Sequence, residues 1–284
     1  MRCIFCKSNT SSSKSVEHII PESLGNHKYT LPKGIVCDKC NNYFSRKIEG
    51  QLLEQPYFKN LRFRQRIESK RGRYPPTKGV LLNHLNEADS EVEIQFNDDE
   101  RAINVYVKNK EAFENISKLN HGSLLLPMFD LPEKNNQIVS RFLGKVGLEE
   151  LARRFFSISE EALNEGFIDE TQLDLLKKFV RYGTPDMIWP YFLRRIHDED
   201  DPLFVEGVNY QKVHEETLLF TDAGELYVVI NIMGVEYALN MVGPELEGYE
   251  IWLKEHNNES PLNDKYYPNI HREILEDLKK RSQR

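Results

Sequence analysis

The chain has 284 residues, 39% of them hydrophobic and 11% aromatic, with a net charge of -7, so it can form one large folded domain or two smaller ones. Its most apolar run, Leu226 to Val235, contains Asn231 and is too short to span a bilayer, and no apolar segment follows Met1-Arg2. We therefore expect a soluble, cytoplasmic protein without a membrane segment.

All four cysteines lie near the start of the chain, in the pairs Cys3-x-x-Cys6 and Cys37-x-x-Cys40. Two intervening residues allow both thiolates of a pair to bind one ion with tetrahedral geometry. In a chain without a secretory signal, such spacing favours metal thiolates over a disulfide framework, and a redox motif would need only one pair. The sequence therefore predicts a structural zinc site, which substitutes for the apolar core that so short a segment lacks.

Two short strands are predicted between the cysteine pairs. Residues 15–20 alternate in hydrophobicity and end at Pro21, and Ile35-Val36 is the second strand. The residues between them, 22–34, have the composition of a loop.

A helix is predicted from about Lys39 to Gln55, with Asp38 as its N-cap and Pro56 as its end. Asn41 lies at helical spacing from Phe44, Ile48 and Leu52, so it shares their inward face and is expected to face the strand that carries His18. Asn42 is turned about 100° away by the helical period.

The residues Val16-Glu17-His18-Ile19-Ile20-Pro21-Glu22-Ser23-Leu24-Gly25 and Val36-Cys37-Asp38-Lys39-Cys40-Asn41 resemble HNH endonucleases of the ββα-metal group, in their zinc-bound four-cysteine subtype. The resemblance implies an α+β protein whose N-terminal domain is a zinc-stabilised ββα-metal nuclease. It also implies that His18 is the general base and that Glu17 and Asn41 hold a catalytic Mg²⁺ or Mn²⁺. Many relatives have an asparagine before the second strand where this chain has Lys33-Gly34, and Asn26 is the candidate substitute.

The chemistry of these residues suits phosphodiester hydrolysis, which needs an activated water and a cation that neutralises charge on the phosphate. Histidine has an unperturbed pKa of about 6.5, and Mg²⁺ and Mn²⁺ prefer oxygen ligands such as carboxylates and amides. His18 alone would more often be an ordinary histidine at a strand end. Its combination with Glu17 and with C-x-x-C-N at this spacing favours catalysis, whereas Glu49 on the helix is expected to be solvated.

Residues 57–74 carry seven lysine and arginine residues interleaved with apolar ones, and the candidate DNA contacts are Arg62, Arg64, Arg66, Arg71 and Arg73. Cations of this kind supply most of the non-specific affinity for DNA. The alternation of the first three arginines with apolar residues fits an extended ribbon at least as well as a helix. The alternative is a solvated charged surface.

Pro75-Pro76 separates a predicted HNH nuclease domain, residues 1–74, from an α+β domain, residues 77–284. Residues 1–74 contain 15 lysine and arginine against 6 aspartate and glutamate residues, and the rest of the chain contains 23 against 39. A basic domain joined to an acidic one is typical of a nucleic-acid-binding domain attached to one that does not contact nucleic acid, although surface charge also fluctuates along ordinary chains.

The second domain is predicted to contain strands and helices in no regular alternation. Its predicted elements are a hairpin of residues 91–96 and 101–107, helices at 137–156 and 170–182, strands at 218–220, 226–233 and 235–241, and closing helices at 245–256 and 269–280.

Together these features predict a metal-dependent HNH endonuclease that hydrolyses DNA. The resemblance implies a place in bacterial anti-phage defence or in a mobile element, where the second domain would recognise a protein partner, an activating ligand or a target. Cleavage of both strands by one site per chain would call for a homodimer. The alternative is a zinc-dependent nucleic-acid-binding module or adaptor without catalysis, which would have no use for Glu17, His18 and Asn41 together.

Overall fold

The computed structural model describes residues 1–82, 90–97, 103–108, 110–117, 123–205, 208–266 and 270–276. In these ranges the helices are α1 (Asp38–Phe44), α2 (Gly50–Leu53), α3 (Pro56–Arg64), α4 (Lys110–Ser117), α5 (Gln137–Ile158), α6 (Glu160–Leu163), α7 (Asp174–Tyr182) and α8 (Glu247–Glu255). The strands are β1 (Thr77–Leu82), β2 (Ser90–Phe96), β3 (Ile103–Val107), β4 (Ser123–Leu125), β5 (Phe192–Arg195), β6 (Pro202–Val205), β7 (Val208–Phe220), β8 (Leu226–Ile232), β9 (Val235–Asn240) and β10 (His271–Glu276). The mixture confirms the predicted α+β class.

The chain divides into two compact units whose limits differ from the predicted domains. Residues Met1–Leu52 and Glu133–Arg284 form the first unit, and Leu53–Pro132 form the second. The cysteine-containing segment therefore shares a unit with the C-terminal part of the chain, whereas the basic segment 57–74 does not. None of the helices in the described residues has the length and the apolar character that a membrane span requires.

The first unit is built around α5 and a sheet with the strand order β10-β7-β8-β9-β5, to which β6 adds by pairing with β7. Asn136 caps α5, since its side chain accepts hydrogen bonds from the backbone amides of Ile138 and Val139. A Cβ atom on Gly147 would lie 2.8 Å from Val228 on β8, and one on Gly144 would lie 2.8 Å from Val180 on α7. These two glycines therefore allow α5 to pack closely on the sheet and on α7.

Most predicted elements of this unit are present. The helices at 137–156 and 170–182 correspond to α5 and α7, the three predicted strands to β7, β8 and β9, and the first closing helix to α8. The second closing helix is wrong in the described part, because residues 271–276 form β10 and pair with β7 in antiparallel register. The long edge of β7 offers backbone hydrogen bonds to β10, and such tertiary pairing overrides local helical preference. Residue 269 and residues 277–280 of that predicted helix lie outside the described ranges.

The second unit contains α3, α4 and a four-stranded sheet with the order β3-β2-β1-β4. The predicted hairpin is confirmed by the antiparallel pairing of β2 with β3. Residues 98–102, which belong to its predicted loop and to the start of its predicted second strand, lie outside the described ranges. Phe63 of α3 packs with Val92 and Ile94 in the core of this unit. Residues 57–64 of the basic segment are thus helical rather than a ribbon, and Pro56 occupies the first turn of α3.

Candidate active site

The four cysteine sulfur atoms lie within 4.8 Å of one another, and none forms a disulfide. The backbone amide of Cys37 donates to the sulfur of Cys3 at 3.4 Å, and that of Cys40 donates to the sulfur of Cys37 at 3.4 Å. A hydrogen bond from the Cys40 thiol lowers the pKa of Cys3 to about 5. Thiolates are the ligand form of cysteine, so the cluster can hold one metal ion through four sulfur atoms.

Asp38 ties the start of α1 to the segment that precedes His18. Its carboxylate accepts hydrogen bonds from the amide of Lys14 at 3.0 Å, and from the amide and hydroxyl of Ser15 at 2.9 and 2.5 Å. The Ser15 hydroxyl thereby lowers the pKa of Asp38. The predicted capping role is wrong, because the N-cap of α1 is Cys37 and Asp38 is the first helical residue.

The backbone around His18 forms only a minimal hairpin. The structure pairs His18 with Thr30 in an isolated antiparallel bridge, in place of a regular strand over residues 15–20. The partner comes from the segment predicted to be loop, not from Ile35-Val36. The reason is a short alternating run, Tyr29-Thr30-Leu31, whose β-branched and aromatic residues suit pairing.

Asn26 supports this hairpin from within. It is fully buried, and its side-chain amide donates to the carbonyls of Ile20 at 2.5 Å and Tyr29 at 2.8 Å. Its oxygen accepts from the Tyr29 amide at 2.8 Å. These contacts join the two sides of the hairpin, as expected of a candidate substitute for the asparagine of the relatives.

Asn41 faces the hairpin, as predicted from the helical period. Its side-chain amide donates to the carbonyl of Val16 at 3.2 Å, next to Glu17 and His18 in the chain. Asn42 is exposed. The structure therefore brings the three predicted catalytic residues to the junction of hairpin and helix, while their roles stay predictions.

The Glu17 carboxylate belongs to a buried ionic cluster centred on Lys145 of α5. The Lys145 ammonium lies 2.7 Å from Glu17, 3.1 Å from Glu49 and 3.0 Å from Glu149. It also donates to the backbone carbonyl of His18 at 3.1 Å. Lys145 and Glu149 are fully buried, so α5 packs against the segment that carries Glu17 and His18.

Residues 3–57 match a family model described as HNH endonuclease. This segment belongs to the HNH endonuclease family. The match includes both cysteine pairs, Glu17, His18 and Asn41, and it covers about a fifth of the chain. No curated protein and no solved structure matches the chain.

The electrostatics of the Lys145 cluster follow from burial and from an excess of carboxyl groups. Burial opposes the charged ammonium, but Glu149, Glu17 and Glu49 outweigh it and raise the pKa of Lys145 well above its usual value. Burial raises the pKa of Glu149 well above its usual value, and the negative charge of Glu17 adds to this effect. The raised pKa of Glu149 thus reflects its burial and the repulsion among three carboxyl groups that share one ammonium.

Glu49 is 8% exposed, so the expectation that it is solvated is wrong. It ends a π-helical turn, Ser45–Glu49, that joins α1 to α2. A wider turn of this kind changes which side chains point inward, and here both Ile48 and Glu49 are buried. No periodic pattern in the sequence marks such a turn.

Two further contacts hold the HNH segment on α5. Arg141 donates to the Tyr43 hydroxyl at 2.9 Å. The Tyr29 hydroxyl donates to Glu150, which also accepts from Arg153 at 2.7 and 2.9 Å. The sequence gives no signal for this polar side of α5, because charged residues on a helix ordinarily lie in solvent.

The five predicted DNA-contacting arginines differ in exposure. Arg62 is 5% exposed, and burial lowers its pKa, so its guanidinium is not displayed on the surface. Arg64 is half-buried and donates to Asn60 at 2.8 Å. Three exposed residues keep the predicted basic surface, and they are Arg66, Arg71 and Arg73.

Proposed function

We propose that this protein is a metal-dependent endonuclease that hydrolyses DNA, with His18 as the general base. The observation that carries the proposal is the hydrogen bond from Asn41 to Val16, because it joins the start of α1 to the hairpin that holds Glu17 and His18. The family match of residues 3–57 supports nuclease chemistry. In this role His18 takes a proton from the attacking water.

The donor set around His18 fits a hard divalent cation. Glu17 and Asn41 offer a carboxylate and an amide oxygen, which are ligands that Mg²⁺ and Mn²⁺ accept. The cation would neutralise charge that develops on the phosphate. Lys145 holds one oxygen of Glu17 at 2.7 Å and so restricts the orientation of the carboxylate. The four cysteines are the proposed zinc ligands, and their role is to hold the hairpin and α1 together.

Replacing Asn41 with alanine tests the proposed cation site. We expect the variant to nick supercoiled plasmid at least about tenfold more slowly than wild type at limiting Mg²⁺ or Mn²⁺, because it lacks one of the oxygen ligands. Asn42→Ala is the matched control, since Asn42 is the next residue on α1 and is exposed. Equal rates for the two variants would remove Asn41 from the cation site.

DNA contact is proposed for Arg66, Arg71 and Arg73. Removing the charges of Arg71 and Arg73 together should weaken binding to duplex DNA regardless of its sequence. It should also lower the slope of log K against log salt by about 0.9 for each lost phosphate contact. Lys108→Ala is the control, because Lys108 is an exposed cation of the same unit that pairs with Glu91. An unchanged salt slope in the double variant would contradict the proposed contact.

One observation favours the second candidate, a zinc-dependent nucleic-acid-binding module or adaptor without catalysis. The ion pair between Glu17 and Lys145 occupies a carboxylate that the nuclease needs for its cation. A plasmid-cleavage assay distinguishes the two functions. The binding module would bind DNA but leave plasmid intact with Mg²⁺ or Mn²⁺ at any protein concentration.

A homodimer and a role in anti-phage defence or a mobile element are part of the proposal. The homodimer rests on the need of one site per chain to cut two strands, and the role rests on the resemblance to HNH relatives. A monomer in solution and on DNA that still linearises plasmid in one event would contradict the homodimer. A chain that leaves phage infection unchanged when it is expressed in bacteria would contradict the defence role.

A further inference from the structure

A second cluster of potential metal ligands lies far along the chain from the HNH segment, on β7 and β10. His214 and Glu216 are two residues apart on β7, so both side chains point to the same face of the sheet. The register pairs His271 of β10 with Glu216, which brings a second imidazole to that face. One ligand atom from each of the three side chains lies within 4.8 Å of the others, the same limit that the four cysteines meet.

These side chains are buried without the partners that polar groups normally have. His214 and Glu216 are each 0% exposed. Within the described part of the chain, neither ring nitrogen of His214 has a hydrogen-bond partner, and Nε2 of His271 has none. The Glu216 carboxylate has no partner other than the nearby Tyr29 hydroxyl, which itself donates to Glu150. Leaving a buried polar group unpaired is costly, and an ion is one of the few explanations for several such groups that face one another.

The protonation states agree with a ligand role. Burial lowers the pKa of His214 to about 3 and that of His271 to about 4, so both imidazoles are neutral and each has a lone pair. Burial raises the pKa of Glu216 well above its usual value. A divalent cation would reverse this last shift, because it stabilises the carboxylate directly.

We propose that His214, Glu216 and His271 form a binding site for a divalent transition-metal ion, separate from both the cysteine cluster and the site around His18. Two imidazoles and one carboxylate are ligands that Zn²⁺ and Fe²⁺ accept, whereas Mg²⁺ prefers oxygen ligands alone. Three protein ligands leave at least one coordination position for water or another small ligand. Of the three residues, only His271 is partly exposed.

The site adjoins the HNH segment through Tyr29. The Tyr29 ring stacks on His271 with a centroid separation of 3.6 Å, and its backbone carbonyl accepts from the amide of Ile19, next to His18. An ion that fixes His271 against β7 would therefore also fix the surface on which Tyr29 rests. The site thus links β10 to the hairpin without supplying a residue to the reaction.

The test is the metal content of the full-length chain after saturation with Zn²⁺ and removal of free ion. We expect one equivalent from the four cysteines and a second from this cluster. Glu216→Gln and His271→Phe should each lose one equivalent and keep the other. The phenylalanine retains a ring for Tyr29 to stack on. His256→Phe is the matched control, because His256 also stacks on an aromatic ring, Trp252 at 3.9 Å, and it should keep both equivalents.

A cobalt titration of the wild-type apoprotein decides the matter if a variant loses both equivalents and so has lost its fold. Cobalt bound by cysteine gives an intense thiolate charge-transfer band. A second bound equivalent that does not add to this band, and that the Asn41→Ala variant keeps, supports the His-Glu-His site. Saturation at one equivalent, or variants that retain two, would overturn the proposal. Neither result depends on DNA cleavage, so an inactive protein with two ions would count against the proposed nuclease and leave this proposal intact.

Discussion

Replacing His18 with alanine is expected to lower the rate of metal-dependent plasmid nicking by about 10²–10⁴-fold, which is the usual contribution of a general base. The imidazole lies on the hairpin residue that pairs with Thr30, and Lys145 holds its backbone carbonyl at 3.1 Å, so the backbone should keep its position when the ring is removed. The measurement is the initial rate of conversion of supercoiled plasmid, with Mg²⁺ or Mn²⁺ in excess.

The control for this variant is His27→Ala. His27 is exposed and belongs to the same loop, but it is not part of the hairpin bridge. Both variants should bind wild-type amounts of zinc, which shows that the cysteine cluster is intact. If the His18 variant nicks plasmid as fast as the His27 variant, another group activates the water, and the assignment of His18 is wrong.

Replacing Lys145 with methionine should lower the free energy of unfolding by about 3–5 kcal/mol, because removing one partner of a buried ion pair leaves charge uncompensated in the interior. Methionine has a similar length, so little packing is lost. Glu17, Glu49 and Glu149 would then face one another without an ammonium, and their repulsion adds to the effect. Urea denaturation followed by circular dichroism measures the change.

Lys178→Met is the matched control, since Lys178 is an exposed lysine on α7 of the same unit. Its effect should stay within about 0.5 kcal/mol, as is usual for surface substitutions. A Lys145 variant as stable as the Lys178 variant would contradict the proposed stabilisation of the three carboxyl groups by the Lys145 ammonium.

The parts of the HNH segment that sequence could predict are those with a short, fixed spacing. The two cysteine pairs, the adjacent Glu17 and His18, and Asn41 directly after Cys40 are each defined within a few residues. Helical periodicity was enough to predict that Asn41 faces the hairpin, and the structure confirms that orientation.

Long-range partners could not be predicted in this way. Lys145 contacts Glu17, which is more than a hundred residues away in the chain, and the sequence around Lys145 is that of an ordinary charged helix. Arg62 was assigned to a basic surface because its neighbours are basic, and its burial depends on tertiary packing that leaves no mark on periodicity. The strand β10 was read as a helix, since its partner strand β7 is distant in sequence.

The His-Glu-His cluster had one local signal that sequence analysis did not use. His214 and Glu216 alternate within a strand, a spacing that puts both on one face. The third member could not have been added, because His271 was placed in a helix and the register of β10 with β7 was unknown. The strand spacing therefore predicts that His214 and Glu216 share a face, whereas the position of His271 depends on strand pairing.

The polar side of α5 limits how the HNH segment could be moved between proteins. Tyr43, Glu17 and Tyr29 of the segment each depend on a different residue of that one helix, namely Arg141, Lys145 and Glu150. A gene fusion that transferred residues 3–57 alone would leave the Glu17 carboxylate without its counterion. It would also leave the Tyr29 hydroxyl without its acceptor and the Tyr43 hydroxyl without its donor. The unit that would have to be transferred is therefore discontinuous in sequence, because it includes α5 as well as residues 3–57.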